Sequence, residues 1–144
     1  EAAIAAEELF KRAQKEEIHL WGISGYRSYK RQEELFSSVN GRSGVAPPGC
    51  SEHQTGLALD ISCPDENYEL EESFAKTKEG CWLARHCALF GFILRYPKNK
   101  EEITGFPFEP WHIRYTGIGL ASSLTLTGMT LEEYYERGLH LPPK

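Results

Sequence analysis

The chain has 144 residues, of which 40% are hydrophobic, 26% charged and 12% aromatic. That is the size and make-up of a single domain spanning residues 1–144 around one continuous core. The net charge of -5, from 21 acidic and 16 basic residues with no like-charge block, gives no electrostatic reason for nucleic acid or an anionic membrane as partner.

No apolar run approaches the ~20 residues that cross a bilayer, so no transmembrane segment is expected. The start, Glu1 to Phe10, is acidic and helical rather than basic and apolar. It does not read as a signal peptide, and the chain reads as a mature or trimmed form, expected to be a monomer.

Residues 2–17 read as an amphipathic helix, with Ala6, Leu9, Phe10 and Ala13 at helical spacing. A short strand follows through Leu20, Trp21 and Ile23, and Gly25 punctuates its end. Ser28 is placed to cap a second helix carrying Leu35, Phe36 and Val39 on one face. Residues 40–49 form a loop rich in Gly, Ser and Pro. Residues 55–62 read as a buried strand, alternating Leu57, Leu59 and Ile61 with Ala58, Asp60 and Ser62. A helix over 79–90 is ended by Gly91, and a strand over 92–96 is stopped by Pro97. Residues 111–115 form another strand, and Thr130 with Glu133 makes a capping-box pair for a last short helix. Helices and strands mix without a strict βαβ rhythm and the links are short, so the class is α+β with antiparallel pairing.

Four cysteines, Cys50, Cys63, Cys81 and Cys87, permit two disulfides in three connectivities. If Cys81 and Cys87 share a helix they lie on different faces about 9 Å apart along its axis, too far for a bond between them. Cys50 and Cys63 would then each pair with one of them. Four reduced thiols fit the sequence equally well, which leaves the compartment open.

Two segments carry chemistry. In Ser51-Glu52-His53-Gln54-Thr55-Gly56-Leu57-Ala58-Leu59-Asp60, Asp60 is an acid set among Leu, Ala and Ile, where an unpaired carboxylate is costly. A zinc ion shared with His53 would satisfy it, and Gly56 lets the chain turn so that both side chains converge. In Glu109-Pro110-Trp111-His112, Pro110 bends the start of the strand and brings Glu109 and His112 toward one point. His53, Asp60 and His112 supply two imidazoles and one carboxylate, a set that leaves zinc a position for water, as catalytic sites do. Glu109, beside the metal rather than on it, suits a general base. Taken singly these are weak signals, since a lone His or Asp in a strand is usually structural and Glu-x-x-His occurs by chance.

Together the motifs resemble the VanY-type family of D,D- and L,D-carboxypeptidases, zinc enzymes of bacterial peptidoglycan. The family pattern Ser-x-His-x-x-Gly-x-Ala-x-Asp is met by Ser51, His53, Gly56, Ala58 and Asp60, and the later Glu-x-x-His by Glu109 and His112. Upstream, Ser24-Gly25-Tyr26-Arg27-Ser28 with Gln32 is similar to the family's substrate-binding segment. The runs Lys78 to Leu83 and Gly91 to Pro97 are similar too, so the likeness spans roughly residues 20–137.

The resemblance implies the VanY/Hedgehog-like zinc peptidase fold, a small antiparallel sheet flanked by helices with the zinc site on the sheet. It implies one zinc ion on His53, Asp60 and His112, with Glu109 as base. Arg27 would hold a carboxylate of the peptide, for which a guanidinium fork is the natural partner. Gln32 would donate to the same substrate, and Ser51 and Trp111 would line the site. Cys50, directly before Ser51, is a departure from the pattern.

The expected activity is D,D-carboxypeptidase: hydrolysis of the terminal D-alanine of a peptidoglycan stem peptide, outside the membrane or in the envelope of a bacterium. Alternatives are an L,D-carboxypeptidase acting on the tetrapeptide stem, a D-alanyl-D-alanine dipeptidase, and a non-catalytic zinc-containing binding module. The presence of Glu109 speaks against the last, because a structural site has no use for a free carboxylate beside the metal. His19, His86 and His140 match no motif and read as surface or structural residues.

Overall fold

The computed structural model describes residues 1–39 and 45–138, and a four-stranded antiparallel sheet lies at its centre. The strands are β1 (Trp21–Ser24), β2 (Ala58–Ser62), β3 (Phe92–Tyr96) and β4 (Glu109–Tyr115), in the order β1-β2-β4-β3. The helices are α1 (Ala2–Lys15), α2 (Tyr29–Ser38), α3 (Lys78–His86), α4 (Glu101–Thr104), α5 (Ile118–Thr127) and α6 (Leu131–Glu136). The class is α+β with antiparallel pairing, as the sequence predicts.

Period-two alternation divides the sheet into two unlike faces. Leu59 and Ile61 of β2, Phe92 and Leu94 of β3, and Ile113 and Tyr115 of β4 face a core closed by Leu9 and Ala13 of α1, Phe74, and Trp82 and Leu83 of α3. The other face carries Asp60, His112 and Arg114, with Ile93 packing against Ala121, Leu124 and Tyr134 of α5 and α6. One face therefore holds the fold together and the other is left for polar groups.

Local rules explain most element ends. Ser28 accepts from the Arg31 amide at the start of α2, and Thr77 accepts from Gly80 at the start of α3. The capping box of Thr130 and Glu133 forms at the head of α6. A Cβ at Gly80 would stand 1.9 Å from the Phe74 carbonyl oxygen. Hence α3 crosses the 3₁₀ turn Glu72–Lys76 at a distance that only glycine allows.

Other boundaries differ from the sequence reading. The strand expected from residue 55 begins at Ala58, because Glu52–Thr55 forms a 3₁₀ turn. Within it the Thr55 hydroxyl donates to Glu52 O (2.6 Å) and accepts from Leu57 N (3.1 Å), a local alternative to the strand ladder. The expected helix over 79–90 changes to a 3₁₀ turn at Cys87–Phe90 before Gly91. The last strand starts at Glu109 rather than 111. Of α2, the fully buried residue is Gln32 rather than Leu35, Phe36 or Val39. Helix α5 escapes the sequence because its apolar residues surround it, with Ile118 61% and Leu126 87% exposed.

All four cysteines are free: Cys63 and Cys87 fill the core, while Cys50 and Cys81 are exposed. Neither disulfide forms. His19 is exposed, His86 stacks on Trp82 at 4.4 Å, and His140 and the first half of the loop over 40–49 lie outside the described residues. Among the described residues no helix is long and apolar enough to cross a membrane.

Candidate active site

The polar face of the sheet gathers its charged groups by register. Asp60 of β2 lies opposite His112 of β4, and His53 approaches from the 3₁₀ turn before β2. Gly56, at φ 72, turns the chain from that 3₁₀ segment back toward β2. Glu109 reaches the same place because β4 is irregular. Between the pairs Leu94–Ile113 and Tyr96–Glu109, β3 advances two residues while β4 advances four. Pro110, inside this segment, lacks a ladder donor, and the surplus residues rotate Glu109 toward His112.

The distances define a compact cluster. His53 Nε2 lies 3.1 Å from Asp60 Oδ2, and His112 Nδ1 lies 2.9 Å from Asp60 Oδ1. Glu109 Oε2 is 3.8 Å from His112 Nδ1. The other ring nitrogens face outward: His53 Nδ1 is 2.8 Å from the Gly25 carbonyl oxygen, and His112 Nε2 is 3.4 Å from Glu52 Oε2. A carbonyl only accepts, so a hydrogen of His53 sits on Nδ1 and donates to Gly25. His53, Asp60, Glu109 and His112 are all buried.

All eight side chains singled out in the sequence line one cavity of about 220 Å³: Arg27, Gln32, Ser51, His53, Asp60, Glu109, Trp111 and His112. Arg27 donates from Nη1 to Gln32 Oε1 (2.8 Å) and from Nη2 to Ser24 Oγ (2.9 Å). Gln32 is fully buried and donates to the Ala46 carbonyl at 2.6 Å. Its carbonyl thus holds Arg27 while its amide is tied to the loop, so it braces the guanidinium. Tyr96 leans over His112, with ring centroids 4.9 Å apart, and Phe106 stacks on Tyr96 at 4.6 Å.

Four residues of this site went unnoticed in the sequence: Glu52, Arg95, Tyr96 and Arg114. Glu52 occupies an unspecified position of the first motif, and Arg95 and Tyr96 lie in the run Gly91 to Pro97. Arg95 Nε donates to Glu52 Oε1 at 2.7 Å, and Arg114 Nη1 lies 3.4 Å from the same oxygen. Only alternation could have flagged Arg95 and Arg114, as charges next to the core-facing Leu94 and Ile113 and so on the polar face of the sheet.

Burial opposes charge throughout the cluster, and neighbours decide which groups stay ionised. Burial works against the Asp60 carboxylate, but hydrogen bonds from His112 and His53 hold it well below the usual carboxylate range. Burial likewise opposes a charged His112, yet Asp60 and Glu52 raise its pKa. Partial burial opposes the Glu52 carboxylate too, but His112 and Arg95 hold it down at about 2. Among the described residues Glu109 has no such donors: burial, resisted by His112 and helped by the Asp60 charge, pushes it up to about 7.

The triad fits a metal ion on the chemistry of its donors. His53, Asp60 and His112 each present one ligand atom, all within 4.8 Å of one another. Two imidazoles and a carboxylate are a zinc donor set. The outward nitrogen of each ring meets an oxygen acceptor, the arrangement that orients ligating histidines.

Comparison with known proteins agrees with this geometry. The VanY D-alanyl-D-alanine carboxypeptidase family matches residues 1–118. The YodJ protein of Bacillus subtilis is 47% identical over 144 residues, covering 95% of this chain and 53% of its own length. The LdcB LD-carboxypeptidase structure has a TM-score of 0.88 and 47% identity, covering 94% of this chain and 66% of that one. A vancomycin-resistance D,D-pentapeptidase VanY, solved in complex with Zn(II), has a TM-score of 0.79 and 34% identity, covering 93% of this chain and 81% of that one. The chain thus spans about half the length of YodJ and about two thirds of the LdcB chain. The matched motifs, the sheet and the placement of the triad converge on one conclusion: the chain belongs to the VanY D-alanyl-D-alanine carboxypeptidase family.

Proposed function

We propose that this chain is a zinc carboxypeptidase that releases the C-terminal D-alanine of peptidoglycan stem peptides at the bacterial envelope. The observation that carries this reading is the meeting, in one cavity, of a metal-donor triad, a buried carboxylate with no hydrogen bond among the described residues, and a braced guanidinium. His53, Asp60 and His112 would hold the ion. Zinc bound there would supply Lewis-acid polarisation of the scissile carbonyl and lower the pKa of water.

The remaining work belongs to the chain's own groups. Glu109 accepts a proton from the attacking water as its oxygen bonds to the carbonyl carbon, and then delivers that proton to the amine as the amide C–N bond breaks. Arg27, held flat by Ser24 and Gln32, pairs with the terminal carboxylate and makes the enzyme an exopeptidase. Gln32 acts mainly through Arg27, and Ser51 and Trp111 shape the wall beside the last residue.

The sequence motifs are shared by D,D- and L,D-enzymes, and the first reading is cleavage of the pentapeptide stem, a D,D-cleavage. A second reading, L,D-cleavage of the tetrapeptide stem, is supported by the likeness to LdcB, at 47% identity against 34% for the VanY D,D-pentapeptidase. Both use the same chemistry and differ in the stereocentre before the scissile bond. Mass spectrometry of zinc-loaded protein incubated with each stem peptide separates them. Loss of alanine from the pentapeptide alone establishes D,D-cleavage, and loss from the tetrapeptide alone establishes L,D-cleavage. Cleavage of neither refutes the carboxypeptidase reading.

A further inference from the structure

The nitrogen of His112 that does not face Asp60 leads into a chain of charged groups running away from the cavity. His112 Nε2 lies 3.4 Å from Glu52 Oε2, and Glu52 Oε1 accepts from Arg95 Nε at 2.7 Å. Arg95 then spends both terminal nitrogens on Glu132 of α6, at 3.0 Å and 2.6 Å. The side chains of Arg95 and Glu52 are only 11% and 15% exposed, so solvent screens these pairs weakly. Glu132 sits in the first turn of α6, whose start is fixed by the capping box and by Lys100 Nζ donating to Glu133 at 2.8 Å. Residues 131–136 lie beyond the family match, which ends at residue 118.

The arrangement divides the hydrogen bonds of Arg95 in one way. Glu132 takes the forked end bidentately, and this leaves the Nε edge, with its single hydrogen, for Glu52. Glu52 then keeps its second oxygen for His112. Were Glu132 neutral, Arg95 could swing its fork onto Glu52, engage both oxygens and draw the carboxylate off His112. A carboxylate behind a ligating histidine orients the ring and raises its basicity. We propose that Glu132, through Arg95 and Glu52, positions His112, so that helix α6 sets how tightly the site holds its metal. This rests on the reading of His53, Asp60 and His112 as metal ligands.

The test compares the full chain with Glu52→Gln, Glu132→Gln and Lys100→Gln, measuring zinc affinity by competition with a chromophoric chelator. The visible spectrum of the cobalt(II)-loaded proteins and the melting of the metal-free proteins are recorded alongside. Lys100→Gln loosens α6 at its other anchor and leaves the Glu132–Arg95 pair in place. Glu52→Gln is expected to weaken zinc about 10–100-fold, the range for losing a ligand's outer partner. Glu132→Gln should weaken it by about 3–10-fold and shift the cobalt spectrum in the same direction. Lys100→Gln should lower the melting temperature without changing affinity or spectrum.

Equal zinc loss in Glu132→Gln and Lys100→Gln would show that α6 matters only as a prop, and would overturn the proposal. So would wild-type affinity and spectrum in Glu132→Gln. A wild-type chain that binds no zinc, or an Asp60→Ala variant that binds it as well, overturns the ligand assignment itself.

Discussion

Glu109→Gln preserves the shape and polarity of the side chain and removes its ability to accept a proton. Among the described residues, Glu109 is the cavity carboxylate that takes part in no hydrogen bond. Asp60 is engaged by His53 and His112, and Glu52 by Arg95 and His112. Neither neighbour is free to replace it as base. A positioned general base contributes about 10²–10⁴-fold, or about 2.7–5.4 kcal/mol at about 1.36 kcal/mol per tenfold. With no substitute among the described residues of the cavity, the loss belongs in the upper half of that range, about 10³–10⁴ in kcat. Glu109 Oε2 stands 3.8 Å from His112 Nδ1, outside hydrogen-bond distance, so zinc affinity and KM should stay within about threefold of wild type. The assay is release of D-alanine from the stem peptide that the wild type cleaves, with zinc content and affinity measured on the same preparation. A fully zinc-loaded variant that retains more than a tenth of wild-type kcat would refute Glu109 as the base.

Three further outcomes follow from the geometry. Arg27→Ala should cost about 1.5–3 kcal/mol of substrate binding, a roughly tenfold to hundredfold fall in kcat/KM carried mainly by KM. An unchanged KM would remove Arg27 from carboxylate recognition. Chelation should lower the melting temperature, because zinc at a hundred times its Kd adds about 2.7 kcal/mol, or roughly 8 °C at about 3 °C per kcal/mol. His112→Ala should abolish that difference, and a persisting one would place the metal elsewhere. Burial pushes the Cys87 thiol from an ordinary 9.0 up to about 12. Below pH 9 the thiol is neutral both folded and unfolded. Above it only the unfolded chain ionises, so stability falls as pH rises, by at most about 4 kcal/mol at pH 12. Cys87→Ala should flatten the urea midpoint against pH between 9 and 11, and identical slopes would refute the assignment.

The parts of this site that the sequence discloses are those whose neighbours in space are neighbours in the chain, or whose spacing fixes a strand register. Asp60 stands out because a carboxylate in an apolar strand demands a partner. Glu109 with His112 stands out because Pro110 breaks the parity that would have parted them. Ser28 and the pair Thr130–Glu133 cap helices through bonds that span three residues, and propensity reads such bonds well. The charges that hold the site in place are of another kind. Glu52 meets His112 sixty residues away and Arg95 forty-three residues away, and Arg95 reaches Glu132 thirty-seven residues on. No periodicity links those positions.

The interior of α2 illustrates the same limit, since its apolar stripe at Leu35 and Phe36 is half exposed while Gln32 is sealed. A sequence pattern predicts burial of apolar groups, and the hydrophobic effect enforces it over the core face of the sheet. On the polar face burial follows hydrogen-bond partners instead. Gln32 is inside because Arg27 and the Ala46 carbonyl satisfy it, and Glu52 is inside because two guanidinium groups and an imidazole do. A buried polar residue in this chain therefore marks a network anchored elsewhere in the sequence, and those anchors become visible only once both ends of the network are placed.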